Sequence, residues 1–430
     1  MTDAPKPETE RPDQAVVIPP DEGLTVGPHG LSPLTRGAAR SFRNFVATQF
    51  LGAFNDNAFR QLILLLAVGG TLGDVPLQSI AAAVFSLPFV IFSGYAGSLA
   101  DRCSKTTIIV LMKFAEIAIM LAAVIAFYLS SLNALLFTLF FMGAQSAFFG
   151  PAKYGYIPES LPDDHLPRAN GIVLMTTFLA IILGQGAAGL ARDAFGGALW
   201  WPAFGLVLLA VLGTVTSMRI RPVPAARPDV SLRRPWGDLP ASLAIVAKDR
   251  DLLWVVVANS YFWFLGGAMQ PIINAYGKTH MGLTDTRTSL LLVSLSVGMA
   301  SGALLAGKLA RGRIDFRHTL IGALVASVGL VTLAWAHVSE ALAHLNYLVL
   351  GIAGSFFGLP LQSFIQKRAE HDRKGRILAA TGFINWIFIL MSAGYYGVVA
   401  TVLPIPFFAA PLAPLAIVAA LLVVRRLRIG

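Results

Sequence analysis

Phe54-Asn55-Asp56-Asn57-Ala58-Phe59-Arg60-Gln61 sits inside an apolar run that starts near Phe45 and ends near Val68. A run of that length spans a bilayer as a helix, which takes about 20 residues. Near its middle lie a carboxylate, a guanidinium and carboxamides. An ionisable group at that depth is costly unless it faces a partner or a water-filled cavity. A chain keeps such a cluster in lipid mainly to handle something polar there, so this stretch points to a transporter.

The rest of the chain fits a membrane setting. It is 56% hydrophobic and 13% charged, with a mean hydropathy of +0.68. A soluble globular protein carries about 25% charged residues. The expected fold is an all-α polytopic membrane protein with twelve apolar segments. They cover 43–68, 76–98, 106–129, 133–155, 168–191, 198–218, 252–276, 286–308, 319–337, 342–365, 377–402 and 404–424. Residues 1–35 hold Pro5, Pro7, Pro12, Pro19 and Pro20 with scattered acids, and read as a disordered cytoplasmic tail. The single cysteine, Cys103, excludes an intramolecular disulfide framework.

A net charge of +10 raises the question of nucleic acid, and the placement of the charge answers it. With the N-terminus inside, 27 of the 33 Lys and Arg fall in the tails, the even loops and the central loop; three fall in odd loops and three within spans. This is the positive-inside pattern, which places both termini in the cytoplasm and needs no nucleic-acid partner. Membrane lipids are the expected partners of the basic loops.

The two halves resemble each other. Phe148-Phe149-Gly150 recurs as Phe356-Phe357-Gly358, an offset of 208, and at that offset Arg168 falls on Arg376. A six-span unit duplicated in parallel is expected, with bundles at 36–218 and 251–430 and a cytoplasmic linker at 219–250. Such repeats resemble the major facilitator superfamily. Gly97-Ser98-Leu99-Ala100-Asp101-Arg102 is similar to that superfamily's signature between spans two and three. The resemblance implies a cytoplasmic gate at Asp101 and Arg102, with Arg168 as the expected base for Asp101 when the cytoplasmic face is closed.

Two motifs are lures. Gly184-Gln185-Gly186-Ala187-Ala188-Gly189 matches a dinucleotide fingerprint but lies inside the fifth apolar span, where small residues serve helix packing. His280 and Asp285 match an acyltransferase pair but fall in a loop without a soluble domain. Neither a metal cluster nor a cofactor is implied.

The candidate substrate-binding residues are Asn55, Asp56, Asn57 and Arg60 on the first span, Lys113 and Glu116 on the third, Gln145 and Lys153 on the fourth, and Asn385 on the eleventh. Asp56 and Arg60 are four apart and share a helix face; Lys113 and Glu116 are three apart. One reading makes these self-neutralising pairs that pin helices. The other makes a zwitterion or phosphate site, with Arg60, Lys113 or Lys153 for phosphate and Asp56 or Glu116 for ammonium. Trp263 and Trp386 read as lipid-facing or packing residues.

Gln49 to Gln61 resembles the first-span motif of the bacterial lysophospholipid transporter family. Phe148 to Gly155, Ile157-Pro158-Glu159, Arg168 to Gly171 and Met175 to Gly184 fit the same family. The resemblance covers nearly all of 43–424. It implies inward flipping of lysophosphatidylethanolamine and lysophosphatidylglycerol across the bacterial inner membrane, with lateral entry from the outer leaflet. It also implies an acyltransferase and acyl-carrier-protein synthetase, separate or fused, as partner. Position 60 is Arg where the family more often has Lys, which keeps the charge and adds a bidentate fork. The alternative is a proton-coupled antiporter of small amphipathic compounds with Asp56 or Glu116 as proton carrier. The fifth span, Gly184 to Gly189, lacks the Gly-Pro pair of antiporters. No nucleophile–base constellation supports an enzyme.

Overall fold

The computed structural model describes residues 24–25, 34–72, 75–229, 236, 239–310, 314–334, 338–368 and 374–427. Most of the expected N-terminal tail, and residues 230–235 and 237–238 of the expected linker, lie outside them. The first half holds α1 (Arg36–Leu66), α2 (Leu77–Arg102), α3 (Lys105–Tyr128), α4 (Leu132–Ser160), α5 (Leu166–Phe195) and α6 (Trp200–Ser217). A short α7 (Leu239–Lys248) follows in the linker. The second half holds α8 (Arg250–Ala275), α9 (Asp285–Ala310), α10 (Phe316–Thr332), α11 (Glu340–Arg368), α12 (Lys374–Val402) and α13 (Leu412–Leu427). Short connections make successive spanning helices antiparallel. The starts of α1 and α8 and the end of α13 therefore share one end of the bundle, the basal end; the opposite end is the far end.

Ten of the described helices are long and apolar enough to cross a membrane. The fold is an all-α membrane bundle. Helix α1 carries the charged cluster, and α10 has only 17 residues. Helix starts are set by local capping. The Thr35 hydroxyl accepts from the Ala38 N–H at 3.1 Å to open α1. The Asp249 carboxylate accepts from Asp251 and Leu252 N–H, both at 3.1 Å, to open α8. Side-chain oxygens at these positions satisfy amides that have no partner inside the helix.

The duplication expected from sequence is visible in the packing. Helix α1 packs on α5 and α2 on α4, as α8 packs on α12 and α9 on α11. Helix α3 packs on α6 as α10 packs on α13. The halves meet through α5 on α9 and, symmetrically, α12 on α2. In lipid no hydrophobic force separates these helices from the solvent, so close approach of small residues holds them. Helix α5 shows how. A Cβ on Gly184 would lie 2.7 Å from the Phe54 carbonyl oxygen of α1, and one on Gly189 would lie 2.6 Å from the Asp285 carbonyl oxygen of α9. The glycine fingerprint of the sequence is thus a seam for two neighbours.

Helix α3 is inside-out by the standard of a soluble protein. Leu111 and Phe114 are 58% and 50% exposed, whereas Lys113 and Glu116 are fully buried. Apolar side chains turned outward suit a lipid surface. Helix α7 was not expected inside the basic linker. It lies against α8 and α12, burying Leu239, Ser242 and Val246.

Candidate functional site

The far end of the bundle is sealed by side-chain carboxamides. Gln61 of α1 donates to Asn274 Oδ1 of α8 at 2.9 Å and accepts from Gln270 at 3.0 Å. Gln78 of α2 donates to the Tyr396 hydroxyl of α12 at 2.8 Å, and Ser79 to the Ala393 carbonyl at 2.6 Å. Asp193, at the end of α5, accepts from the backbone N–H of Asp285 and Thr286 at 3.1 and 2.7 Å. One half of the molecule therefore caps a helix of the other. Midway down, the rings of Phe89 and Trp386 stack at 3.5 Å across the halves. Trp386 is a packing residue, while Trp263 is 40% exposed.

Below that seal α1 presents its polar face. Asp56 is partly buried, and its Oδ2 accepts from the Ser146 hydroxyl of α4 at 2.5 Å. Ser146 also lies 3.0 Å from Gln145 Oε1, so one hydroxyl proton serves two acceptors. The other carboxylate oxygen of Asp56 is buried without a hydrogen-bond partner. One turn further toward the far end, Arg60 does not pair with Asp56. Its guanidinium sits over the Phe85 ring of α2, 4.8 Å from the centroid, and its Nε has no hydrogen-bond partner. The pairing expected from the four-residue spacing is replaced by two separate contacts on α4 and α2. Asn57 is spent on its own helix, donating to the Ala53 carbonyl at 2.7 Å.

Seven residues toward the basal end, about 10 Å at 1.5 Å per residue, lies a second polar rung. Lys153 donates to Thr177 Oγ1 of α5 at 3.3 Å, and Thr177 donates to Gln49 Oε1 of α1 at 3.0 Å. Lys153 is buried, and no carboxylate lies within 4.0 Å of it among the described residues. In the second half Asn385 of α12 accepts from Asn259 at 3.1 Å and Ser260 at 2.8 Å, both on α8. The Asn259 carbonyl oxygen is buried without a partner.

Asn55, Lys113 and Glu116 form a different unit. Asn55 donates to Glu116 Oε1 at 2.7 Å, and Lys113 pairs with Glu116 Oε2. All three are fully buried. A Cβ on Gly52 would lie 2.9 Å from the Lys113 ammonium, and one on Gly213 3.0 Å from it. The cluster is clamped between α1, α3 and α6, so these residues do not join Asp56 and Arg60 at an accessible surface. Asn55, Lys113 and Glu116 are thus satisfied by one another within this packing.

The gate residues Asp101 and Arg168 stand apart from one another at the basal end. Asp101 pairs with Arg227 of the linker, and its carbonyl accepts from the Arg227 N–H at 2.9 Å. Arg168 is instead exposed at the start of α5, and Arg102 is exposed at the end of α2. Sequence reasoning missed Gln61, Gln78, Gln270 and Ser146. The signal was present for three of them, because a carboxamide inside an apolar span must find a partner.

An all-α bundle of two similarly packed halves, with polar side chains buried between its helices, is matched by a family model. The model of the Major Facilitator Superfamily covers residues 45–393. The chain belongs to the major facilitator superfamily. Solved structures of POT family transporters share its fold. One crystallised in meso, PepTSo, aligns with a TM-score of 0.70 at 14% identity, covering 90% of this chain and 98% of its own. Another, in complex with 5-aminolevulinic acid, aligns at 0.68 and 13%, covering 90% and 96%. Among curated relatives, the lysophospholipid transporter LplT of Enterobacter sp. (strain 638) is 28% identical, over 81% of this chain and 86% of its own length. Those of Cronobacter sakazakii and Yersinia pestis (strain Pestoides F) are 28% and 26% identical, over 86% and 84% of this chain and 91% and 87% of their own lengths.

Proposed function

We propose that this chain is a lysophospholipid transporter with twelve membrane crossings and both termini in the cytoplasm of a bacterium. It moves lysophosphatidylethanolamine and lysophosphatidylglycerol from the outer to the inner leaflet of the inner membrane by alternating access. The names of the curated relatives support the substrate class. The observation that carries the site is the pair of opposite charges on one face of α1, each with a polar atom left unmet. An unpaired charge at that depth costs several kcal/mol, and a ligand that supplies the partner recovers it.

Arg60 is the phosphate ligand in this reading. Its planar fork matches two phosphate oxygens, and its contact with Phe85 fixes the fork's plane. Asp56, held by Ser146, takes the ammonium of ethanolamine or a hydroxyl of glycerol. Lys153, one rung toward the basal end, offers the phosphate its next site on the way out. The acyl chain stays in lipid. With its far end sealed, the bundle has the inward-facing form of the cycle.

The test is uptake of labelled lysolipid by proteoliposomes, normalised to reconstituted protein. Asp56→Ala and Arg60→Ala each abolish uptake of both lysolipids with folded protein remaining. Uptake near the wild-type rate in either variant removes that residue from the site. Uptake in the absence of any proton gradient argues against the antiporter reading.

A further inference from the structure

The basal surface carries a second polar feature, apart from the cleft. A groove of about 530 Å³ lies between the start of α1 and the start of α5. Ligand sites fall in the range of roughly 300–1,000 Å³. Arg36, Arg40 and Arg43 are spaced by four and three residues, so they form one stripe along α1, and Arg168 faces them from α5. All four are exposed, and none forms an ion pair with a described residue. Phe42 and Ile172 help to make the floor apolar. No carboxylate is among the described side chains that line the groove.

The internal repeat supplies a comparison within the same molecule. Arg376 is the counterpart of Arg168, and it lines the equivalent groove between the starts of α8 and α12, of about 760 Å³. There the bases face Asp249 and Asp251, and Arg368 bonds Asp249 at 2.9 Å. In that groove two carboxylates offset part of the charge of Lys248, Arg250, Arg368 and Arg376, and one of them holds Arg368 in an ion pair. In the groove between α1 and α5 no described lining side chain offsets the arginines at all.

Position says what that is. Helix α1 has 31 residues, about 46 Å at 1.5 Å per residue, against a hydrocarbon core of about 30 Å. Its first turns therefore stand at headgroup depth. A cationic rim over an apolar floor, at that depth, suits a molecule that is anionic at one end and apolar at the other. We propose that this groove is a binding site for an anionic diacyl phospholipid of the basal leaflet. Its phosphate takes the arginine rim and an acyl chain lies on Phe42 and Ile172. The site is separate from the transport cleft and does not depend on the substrate proposed above.

The test uses the purified full chain in neutral detergent. Phosphatidylglycerol and phosphatidylethanolamine are titrated separately, and bound lipid is counted by native mass spectrometry. The wild type is expected to hold phosphatidylglycerol at least tenfold more tightly than phosphatidylethanolamine. Arg40→Gln/Arg43→Gln/Arg168→Gln loses that preference. The same three positions changed to Lys keep most of it, which separates loss of charge from loss of fold. Arg250→Gln/Arg376→Gln, in the counterpart groove, leaves it intact. Equal affinity for the two lipids in the wild type overturns the proposal, as does an unchanged preference in the Gln variant. Full displacement by millimolar inorganic phosphate overturns it too, because a bare anion site needs no lipid.

Discussion

Replacing Glu116 by Gln isolates what the buried cluster of α3 does. In the wild type Lys113 and Glu116 are fully buried and paired, and Asn55 occupies the second carboxylate oxygen. The Gln side chain keeps an acceptor for Asn55 but leaves the Lys113 ammonium with no counter-charge and glycine backbone around it. Breaking a buried pair from one side costs about 3–5 kcal/mol. Lys113→Met strands the carboxylate and costs a similar amount. The double variant removes both charges and leaves one amide donor of Gln without a partner, which costs about 1–3 kcal/mol. Independent effects would sum to about 6–10 kcal/mol, so the coupling is at least about 3 kcal/mol. Unfolding free energy in micelles, measured for the wild type, both single variants and the double variant, gives the cycle. Lysolipid uptake by the double variant, at matched amounts of folded protein, is expected to stay within about twofold of wild type, about 0.4 kcal/mol at 1.4 kcal/mol per tenfold. Additive destabilisation would refute the pairing argument. A stable double variant without transport would return Lys113 and Glu116 to the substrate site.

Ser146→Ala frees the second oxygen of Asp56 and should lower transport of both lysolipids several-fold without loss of folded protein, read in the proteoliposome assay. Asp193→Ala removes the cap that α5 places on α9. Loss of a cap costs about 0.5–2 kcal/mol, so labelling of a cysteine at Ser289 in a Cys103→Ser background should rise by about twofold to thirtyfold from the far side. Asp101→Asn releases Arg227 from an exposed pair worth at most about 1 kcal/mol, so proteolysis of the linker should quicken by no more than about fivefold. Lysophosphatidylcholine, whose trimethylammonium cannot donate to Asp56, should compete poorly with lysophosphatidylethanolamine; equal competition would show that Asp56 does not select the headgroup.

The architecture was legible because membrane constraints are written in composition. Apolar runs, loop charge and the repeat of Phe148-Phe149-Gly150 each report a property of a whole helix, and the helices followed. Helix α7 escaped because ten residues with Leu239 and Val246 on one face carry little signal inside a basic linker. The site was legible only in part. Spacing put Asp56 and Arg60 on one face, but their contacts are Ser146 and Phe85, from helices that only the assembled bundle brings near. Lys113 and Glu116 were readable as a pair; the direction they face was not, since it depends on where α6 packs. The Asp101 contact with Arg227 of the linker was not legible either, because it depends on where the linker folds back.

Helix α5 carries two kinds of joint on one rod. Its approach to α1 at Gly184 lies within a half and persists through any rocking of the halves. Its approach to α9 at Gly189 crosses the halves, and in the proposed alternating-access cycle it is the one that parts and re-forms. Beside the cap that Asp193 places on α9, the rest of this joint is many weak dispersion contacts, each about 0.1–0.2 kcal/mol, so the cap is the part that gates release. Bare backbone at Gly189 supplies that kind of surface: flat, side-chain-free and indifferent to small errors of register. The same glycine spacing that mimics a nucleotide loop thus gives one rod a weld and a zip fastener, five residues apart.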